Sequence, residues 1–205
     1  NWSRRMLEDN IASHLFDRQG AAVTNFSSTL PSPQGLLAQE ILKDPYNFDF
    51  LTMRKGYDER ELEEALVTNV TRFLLELGKG FAYVGRQMEL RMPNGQTFFL
   101  DLVFYHIPQK RYVVVELKAV GFKPEFAGKI NFYVSAADEL LRGKDDNDTI
   151  GLIICKEADR TIVEWSFKGV ERPLGVATYQ LKEVVDRTIA ELDLKKKDHN
   201  TEEDD

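Results

Sequence analysis

Two carboxylates and one cation, Asp101, Glu116 and Lys118, are candidates for a shared reactive site in this sequence. Asp101 lies inside one run of apolar and β-branched residues, and Glu116 lies inside the next run, two residues before Lys118. Such runs are typical of β-strands, and the proline-containing segment 107–110 between them predicts a short turn. The sequence therefore predicts that these charged groups lie on two neighbouring strands of one hairpin.

The register of this hairpin follows from its turn. If strands over 98–106 and 111–119 are joined by a symmetric turn, Asp101 lies directly opposite Glu116. Because side chains alternate between the two faces of a strand, Lys118 shares the face of Glu116. All three charged side chains are thus predicted to converge on one face of the sheet.

The apolar residues of the hairpin predict its position in the fold. The opposite face pairs Leu100 with Leu117 and is apolar throughout, which predicts core. The charged face is also apolar away from the acids, where Val103 lies beside Val114. A hairpin that is apolar on both faces belongs in the middle of a sheet that is covered on both sides.

Two carboxylates that face each other in apolar surroundings destabilise a sheet unless a cation neutralises them. Oxygen ligands of this kind suit a hard divalent ion, Mg²⁺ or Mn²⁺, which keeps water in its remaining positions. That water is a potential nucleophile. The alternative interpretation is a surface ion pair, which is common in a chain with 30% charged residues but does not explain the apolar strands.

The helix predicted over 59–77 directs one further acid towards the sheet. At about 100° per residue, Glu63 falls within the apolar stripe, whereas Glu61 and Glu64 point elsewhere. A glutamate in a buried stripe requires a partner. Glu63 is therefore a candidate for the site, and the alternative is that its side chain curls to the rim of the helix.

A second group of candidates could contact a substrate. Lys129 and Tyr133 lie one turn apart on a helix predicted over 124–142. By pattern alone, Tyr133 also fits a core aromatic residue and Lys129 a surface lysine whose stem packs on apolar neighbours. The candidate substrate-binding residues are Arg86, Gln87, Lys123, Lys129 and Tyr133.

Composition limits the class of protein. The net charge of −7 argues against a chain that coats nucleic acid by bulk attraction, although a local basic cleft is compatible with it. Cys155 is the single cysteine, and its apolar surroundings predict a buried structural thiol. No run of residues is typical of a membrane span or a secretory signal. A reducing, cytoplasmic setting is the expectation.

The pattern of the chain divides it into three parts. Residues 1–57 are predicted to be the C-terminal part of a helical N-terminal domain with its linker, 58–192 the main domain, and 193–205 a disordered charged tail. The main domain shows the order α-β-β-β-α-β, followed by extra strands, of which one is predicted over 161–168. This order predicts an α/β fold with a mixed central sheet flanked by helices.

These residues resemble the PD-(D/E)xK nuclease superfamily, with Leu100-Asp101 at the P-D position and Glu116-Leu117-Lys118 as the E-x-K element. Lys129 and Tyr133 have the spacing of the Q-x-x-x-Y pair of several branches, with lysine in place of glutamine. Over about residues 60–181, the chain resembles the YhcG-like branch. The strings that carry this likeness are Phe73-Leu74-Leu75-Glu76-Leu77-Gly78-Lys79-Gly80-Phe81, Val84-Gly85-Arg86-Gln87, Lys123-Pro124-Glu125-Phe126-Ala127-Gly128-Lys129 and Asn131-Phe132-Tyr133.

The resemblance implies a restriction-endonuclease-like core and metal-dependent hydrolysis of a nucleic-acid phosphodiester. Asp101, Glu116 and the Leu117 carbonyl would hold Mg²⁺ or Mn²⁺, which would lower the pKa of bound water. Lys118 would orient that water and stabilise charge on the phosphate. Glu63 would be an outer or second-metal ligand. DNA is the expected partner ahead of RNA, and a membrane is not expected.

Two other functions compete with a nuclease. One is a catalytically silent nucleic-acid-binding or assembly module on the same fold, and the other is a protein-interacting domain. The acid pair favours the enzyme, because a binding module has no use for costly buried carboxylates. The oligomeric state is open, with a homodimer as one alternative, since nucleases that cut both strands are often dimers.

Overall fold

The computed structural model describes residues 4, 8, 11, 12 and 14–184. Within that part, a mixed sheet of seven strands forms the centre, with helices on both faces. The helices are α1 (Leu15–Arg18), α2 (Phe26–Thr29), α3 (Gln34–Glu40), α4 (Glu59–Thr68), α5 (Val70–Leu77), α6 (Pro124–Leu140) and α7 (Arg160–Ser166). The strands are β1 (Val23–Thr24), β2 (Tyr46–Asn47), β3 (Met53–Arg54), β4 (Phe81–Arg91), β5 (Thr97–His106), β6 (Arg111–Leu117), β7 (Ile150–Cys155), β8 (Leu174–Gln180) and β9 (Glu183–Val184).

The predicted hairpin register is confirmed. β5 and β6 pair antiparallel from Leu102–Val115 to His106–Arg111, as a symmetric turn requires. β4 pairs antiparallel with β5, whereas β6, β7 and β8 run parallel to one another. The predicted α-β-β-β-α-β order is present as α4 and α5, β4, β5, β6, α6 and β7. The hairpin therefore lies inside the sheet, between β4 and β7.

Helices cover both faces of this sheet. On one face, α4 and α5 bury Leu62 and Phe73 against β5 and β6. On the other face, α6 buries Ile130 and Val134 against β6 and β7. A Cβ at Gly151 of β7 would lie 2.7 Å from side-chain atoms of both Ile130 and Val134, so the absence of a side chain there lets α6 pack closely. The hairpin is thus buried on both faces, as its composition predicts.

The segment before residue 58 packs into the same core as the residues after it. β1 and β2 both pair with β8, and the ring of Phe48 meets Phe73 edge-to-face at a centroid distance of 5.6 Å. Glu76 of α5 also binds two cations from the N-terminal segment, Arg18 at 2.5 Å and Lys43 at 3.9 Å. The residues before and after the predicted boundary at 57/58 are therefore joined by strand pairing, by aromatic contacts and by largely buried ion pairs.

The strand predicted over 161–168 is wrong, because this segment forms α7. Asp159 caps the helix, and its side chain accepts a 3.0 Å hydrogen bond from a backbone N–H of the first turn. Val163 and Phe167, four residues apart, are buried, whereas Trp165 is 67% exposed. The apolar residues alternate in sequence as in a strand, but their burial follows the spacing of a helix.

Other boundaries also differ from prediction. The helix predicted over 59–77 is divided at Asn69, which ends α4 and precedes α5. The helix predicted from Lys182 is wrong at its start, where β9 pairs with β3. The predicted tail 193–205, with the rest of 185–205, lies outside the described residues. None of the helices in the described part is long and apolar enough to cross a membrane.

Candidate active site

The acidic residues of the hairpin lie where its backbone ladder stops. Pairing ends at Leu102–Val115, one residue short of Asp101 and Glu116. The carboxylate of Asp101 instead accepts a 3.1 Å hydrogen bond from the backbone N–H of Leu117. The predicted register therefore brings both acids to one end of the hairpin, although the two residues are not themselves a backbone pair.

The side chains of β5 alternate between the two faces of the sheet, but this alternation is interrupted at Asp101. Leu102 belongs to the core under α4 and α5, while Leu100, two residues earlier, belongs to the core under α6. The prediction that Leu100 and Leu117 share one core face is therefore wrong. On β4, Gln87 lies between the residues that pair with Leu100 and Leu102 and has a left-handed φ of 45°. A left-handed residue cannot continue a regular pleat, so the alternation shifts here.

Glu116 is fully buried and holds two lysines on one oxygen. Its Oε1 accepts a 2.8 Å hydrogen bond from Lys118 Nζ and a second bond from Lys129 Nζ. Its Oε2 is buried and has no hydrogen-bond partner among the described residues. Because a buried carboxylate oxygen without a partner is costly, this atom marks a place for a cation or a donor that the chain itself does not supply.

Lys118 is held on three sides. Besides Glu116, its ammonium group donates a 3.2 Å hydrogen bond to Glu59 Oε2 and lies 5.1 Å from the centre of the Phe126 ring. Burial alone would lower the pKa of Lys118, but the hydrogen bond and charge of Glu116 outweigh burial and raise this pKa. Lys118 is therefore a fixed, protonated cation next to the acid pair.

The pKa of Asp101 is raised to about 6. Burial of the carboxyl group is the largest cause, and the nearby charge of Glu116 acts in the same direction. The N–H of Leu117 and the charges of Lys129 and Lys118 oppose this rise without cancelling it. Protons and metal ions would therefore compete for Asp101 in slightly acidic solution.

Gln87 connects Glu63 to the acid pair. Its side-chain amide donates to Glu63 Oε2 at 2.5 Å and to Asp101 Oδ1 at 3.5 Å. Glu63 is buried, with 7% of its surface exposed, at the position where helical phase predicts a residue that faces the sheet. The strained backbone of Gln87 is held in place by these contacts, as is common for residues at functional sites.

The candidate substrate-binding residues separate in the structure. Arg86, Gln87 and Lys129 line the cleft above the acids, and Tyr133 lies under Lys129, with Nζ 5.3 Å from its ring centre. Lys123 is exposed at the N-cap of α6 and does not line that cleft. Of the five candidate substrate-binding residues, Lys123 is therefore the one that the described structure places away from the cleft and its acids.

The cleft itself has a volume of about 630 Å³ and contains more acidic than basic side chains. Five carboxylates and three cations are among its lining residues, which are Glu59, Arg60, Glu63, Glu64, Arg86, Gln87, Asp101, Glu116 and Lys129. An acidic cleft repels phosphate groups unless bound cations reverse its charge. The charge balance thus favours a cleft that binds cations before it binds a polyanion.

Sequence reasoning missed three of the lining residues, Glu59, Arg60 and Glu64. All three lie in the first two turns of α4, which begins after the capping residue Asp58. Helical phase predicts that Glu64 points away from the sheet, and its exposed side chain nevertheless reaches the rim of the cleft. A helical wheel gives direction around one axis only, so it cannot show that the N-terminal turns of α4 stand over the hairpin.

The donor set fits a hard divalent cation. Asp101 and Glu116 offer carboxylate oxygens at one end of the cleft, and Glu116 Oε2 lacks a partner in the described part of the chain. Among the described residues, no three His, Cys, Asp or Glu side chains lie close enough together to hold a metal ion by themselves. A two-carboxylate site suits Mg²⁺, which is usually bound by one or two carboxylates with water and substrate oxygens.

The mixed sheet, the α-β-β-β-α-β order and the acid pair define a restriction-endonuclease-like α/β domain. The family model described as the YhcG PDDEXK nuclease domain matches residues 39–195. The chain belongs to this family.

One curated relative and several solved structures are similar to the chain. "Putative nuclease YhcG" of Escherichia coli (strain K12) is 32% identical in an alignment of 186 residues, and the alignment covers 88% of this chain and 49% of that protein. The chain thus spans about half the length of this relative. A repair endonuclease from Pyrococcus abyssi aligns over 63% of this chain and 49% of its own, with 18% identity and a TM-score of 0.40. EndoMS in a dsDNA complex aligns over 60% of this chain and 46% of its own, with 15% identity and a TM-score of 0.38.

Proposed function

We propose that this domain is a divalent-metal-dependent nuclease that hydrolyses phosphodiester bonds, with Mg²⁺ or Mn²⁺ as its cofactor. The observation that carries the proposal is Glu116, a fully buried carboxylate with one oxygen unpartnered in the described structure, placed beside Asp101 at the base of an acidic cleft. Membership of a nuclease family supports the same function.

The residues of the chain divide the work of holding the cofactor and the substrate. Asp101, Glu116 and the carbonyl of Leu117 are the proposed metal ligands, and Glu63 is the proposed outer or second-metal ligand. When bound, the metal ion supplies Lewis-acid activation of water and of the phosphoryl group. Gln87 fixes Glu63 and Asp101 relative to each other through its side-chain amide.

Lys118 is the proposed group that acts on developing charge. Its ammonium is buried, protonated and held by Glu116 and Glu59, so its position does not change as the reaction proceeds. A fixed cation of this kind stabilises the charge that grows on the phosphate more than it stabilises the bound substrate. Arg86 and Lys129 are proposed to contact substrate phosphates from the walls of the cleft.

DNA is the proposed substrate ahead of RNA, and this choice rests on the family resemblance. The chain covers about half of its curated relative, so the activity and partners of the whole protein are proposals as well. We further propose a cytoplasmic setting, since Cys155 is a buried free thiol, and a homodimer if both strands of a duplex are cut.

Cleavage assays with matched substrates test this function. The chain should be incubated with linear, circular and branched DNA and with RNA, with Mg²⁺, with Mn²⁺ and with a chelator. We expect metal-dependent cleavage of DNA that Asp101→Asn and Glu116→Gln abolish. Binding without cleavage under all these metal conditions would instead favour the silent binding module.

A further inference from the structure

Lys129 places its ammonium group on Glu116, the carboxylate that the proposed metal requires. Its Nζ binds the same oxygen, Oε1, that accepts a 2.8 Å hydrogen bond from Lys118. Two cations therefore converge on one carboxylate oxygen. The unpartnered oxygen of Glu116 remains on the other side of the same carboxylate.

The two lysines differ in their freedom to leave this position. The side chain of Lys118 is 7% exposed and is also bound by Glu59, so it is enclosed. The side chain of Lys129 is 43% exposed and lines the open cleft. A lysine stem has four rotatable carbons, so Lys129 can turn from Glu116 into the cleft without any movement of its helix.

We propose that Lys129 is a built-in counter-ion, which neutralises Glu116 while no divalent cation is bound and moves to the substrate phosphate once one binds. This inference rests on the proposed function. Positive charge arriving at Asp101 and Glu116 replaces the neutralising role of Lys129 and repels its ammonium group. The released ammonium then adds positive charge to a cleft that is otherwise acidic.

Metal and nucleic acid therefore support each other's binding through Lys129. Without a divalent cation, Lys129 is paired with Glu116 and contributes little to phosphate binding. With one bound, the same lysine is available to the polyanion, which is a coupling free energy between two ligands. The alternative is that Lys129 stays on Glu116 after the cation binds. It would then be an ordinary half-exposed ion pair, with no coupling between metal and nucleic acid and with little effect on stability.

Calorimetric titration with Mn²⁺, in the absence of nucleic acid, tests the competition directly. We expect Lys129→Met to bind Mn²⁺ at least about fivefold more tightly than the wild type, the lower end of typical coupling between sites. Lys129→Arg keeps a cation on Glu116 and should stay near the wild type. Arg60→Met removes a charge from the same cleft and controls for the general change in potential.

Magnetic resonance of lysine ammonium groups supplies a second readout. In protein labelled with ¹⁵N, saturating Mg²⁺ should shift or broaden the Nζ signal of Lys129, assigned by its loss in Lys129→Arg, far more than that of Lys118. An unchanged Lys129 signal at saturation would overturn the inference.

The outcomes separate this inference from the proposed function. Equal Mn²⁺ affinities in Lys129→Met and Arg60→Met would overturn the counter-ion role while leaving the metal site intact. A wild-type chain that binds no Mn²⁺ would remove the metal-dependent function and this inference with it.

Discussion

The side-chain amide of Gln87 donates a 2.5 Å hydrogen bond to the buried carboxylate of Glu63, which ties the edge strand β4 to helix α4. The same nitrogen lies 3.5 Å from Asp101 Oδ1. One neutral side chain thus sets the spacing of two acids that come from different elements. Its backbone has a left-handed φ of 45°, which a residue with a side chain rarely adopts.

This conformation predicts an unusual order of stabilities at position 87. A left-handed backbone costs a residue with a Cβ about 1–2 kcal/mol, whereas glycine avoids that cost. Gln87→Gly should therefore be at least as stable as Gln87→Ala, although glycine is ordinarily worse than alanine in a strand by about 0.5–1 kcal/mol. Urea unfolding of both variants measures the difference, and a clearly more stable alanine variant would contradict the assigned strain.

Glu63 should matter for activity and not for folding. Glu63→Gln keeps the size of the side chain but removes the charge near Asp101, so nuclease activity should fall about 10–100-fold, as for outer-shell partners of metal ligands. Glu61→Gln is the matched control. Glu61 closes the capping box of α4, a role that glutamine also fills, and it does not line the cleft. Similar activity losses in both variants would count against a specific role for Glu63.

Lys118→Met should lose cleavage by about 100-fold or more while retaining most of its affinity for nucleic acid. The reason is that a fixed cation contributes mainly when charge grows in the transition state. Single-turnover cleavage and binding to a duplex in Ca²⁺ measure the two effects separately. Cleavage at the rate of the wild type would exclude the assigned role.

Both acids should be needed for metal binding, but they should differ in their effects on folding. Asp101→Asn and Glu116→Gln should each abolish the calorimetric Mn²⁺ signal. Glu116→Gln should also lower the free energy of unfolding, by up to about 3 kcal/mol, because it removes one of the two carboxylates that bind the buried Lys118 and leaves only Glu59. Asp101→Asn should not, since the amide oxygen can still accept the N–H of Leu117. Retained Mn²⁺ affinity in either variant would reject the site.

The metal-free protein should lose stability relative to Asp101→Asn as the pH rises through about 6. The folded-state pKa of Asp101 is about 6 against an ordinary value of 3.8, so the folded protein holds this proton more tightly than the unfolded chain. That contribution is complete below the ordinary pKa and is lost as the pH rises through the folded pKa. Urea unfolding should be measured near pH 4 and at about pH 8. We expect the free energy of unfolding of Asp101→Asn to exceed that of the wild type only at the higher pH. If the difference in unfolding free energy between the two proteins does not change with pH, the raised pKa of Asp101 is refuted.

Local patterns along the chain are sufficient to predict the hairpin and the position of its two acids. The short turn between the apolar runs around Asp101 and Glu116 sets the register if it is symmetric, and β5 and β6 adopt that register. Helical phase likewise determined that Glu63 faces the sheet. These features depend on periodicity and turn length, which are local properties of a chain.

The surroundings of the two acids, in contrast, depend on contacts between elements that are distant in the sequence. The strand expected over 161–168 became α7 because packing favours burial of Val163 and Phe167 together, which alternation in sequence does not reveal. The phase shift at Asp101 and the reach of Glu59 and Lys129 also depend on how separate elements meet. A sequence specifies which residues share a face, but the distances between side chains on different elements are set by how those elements pack together.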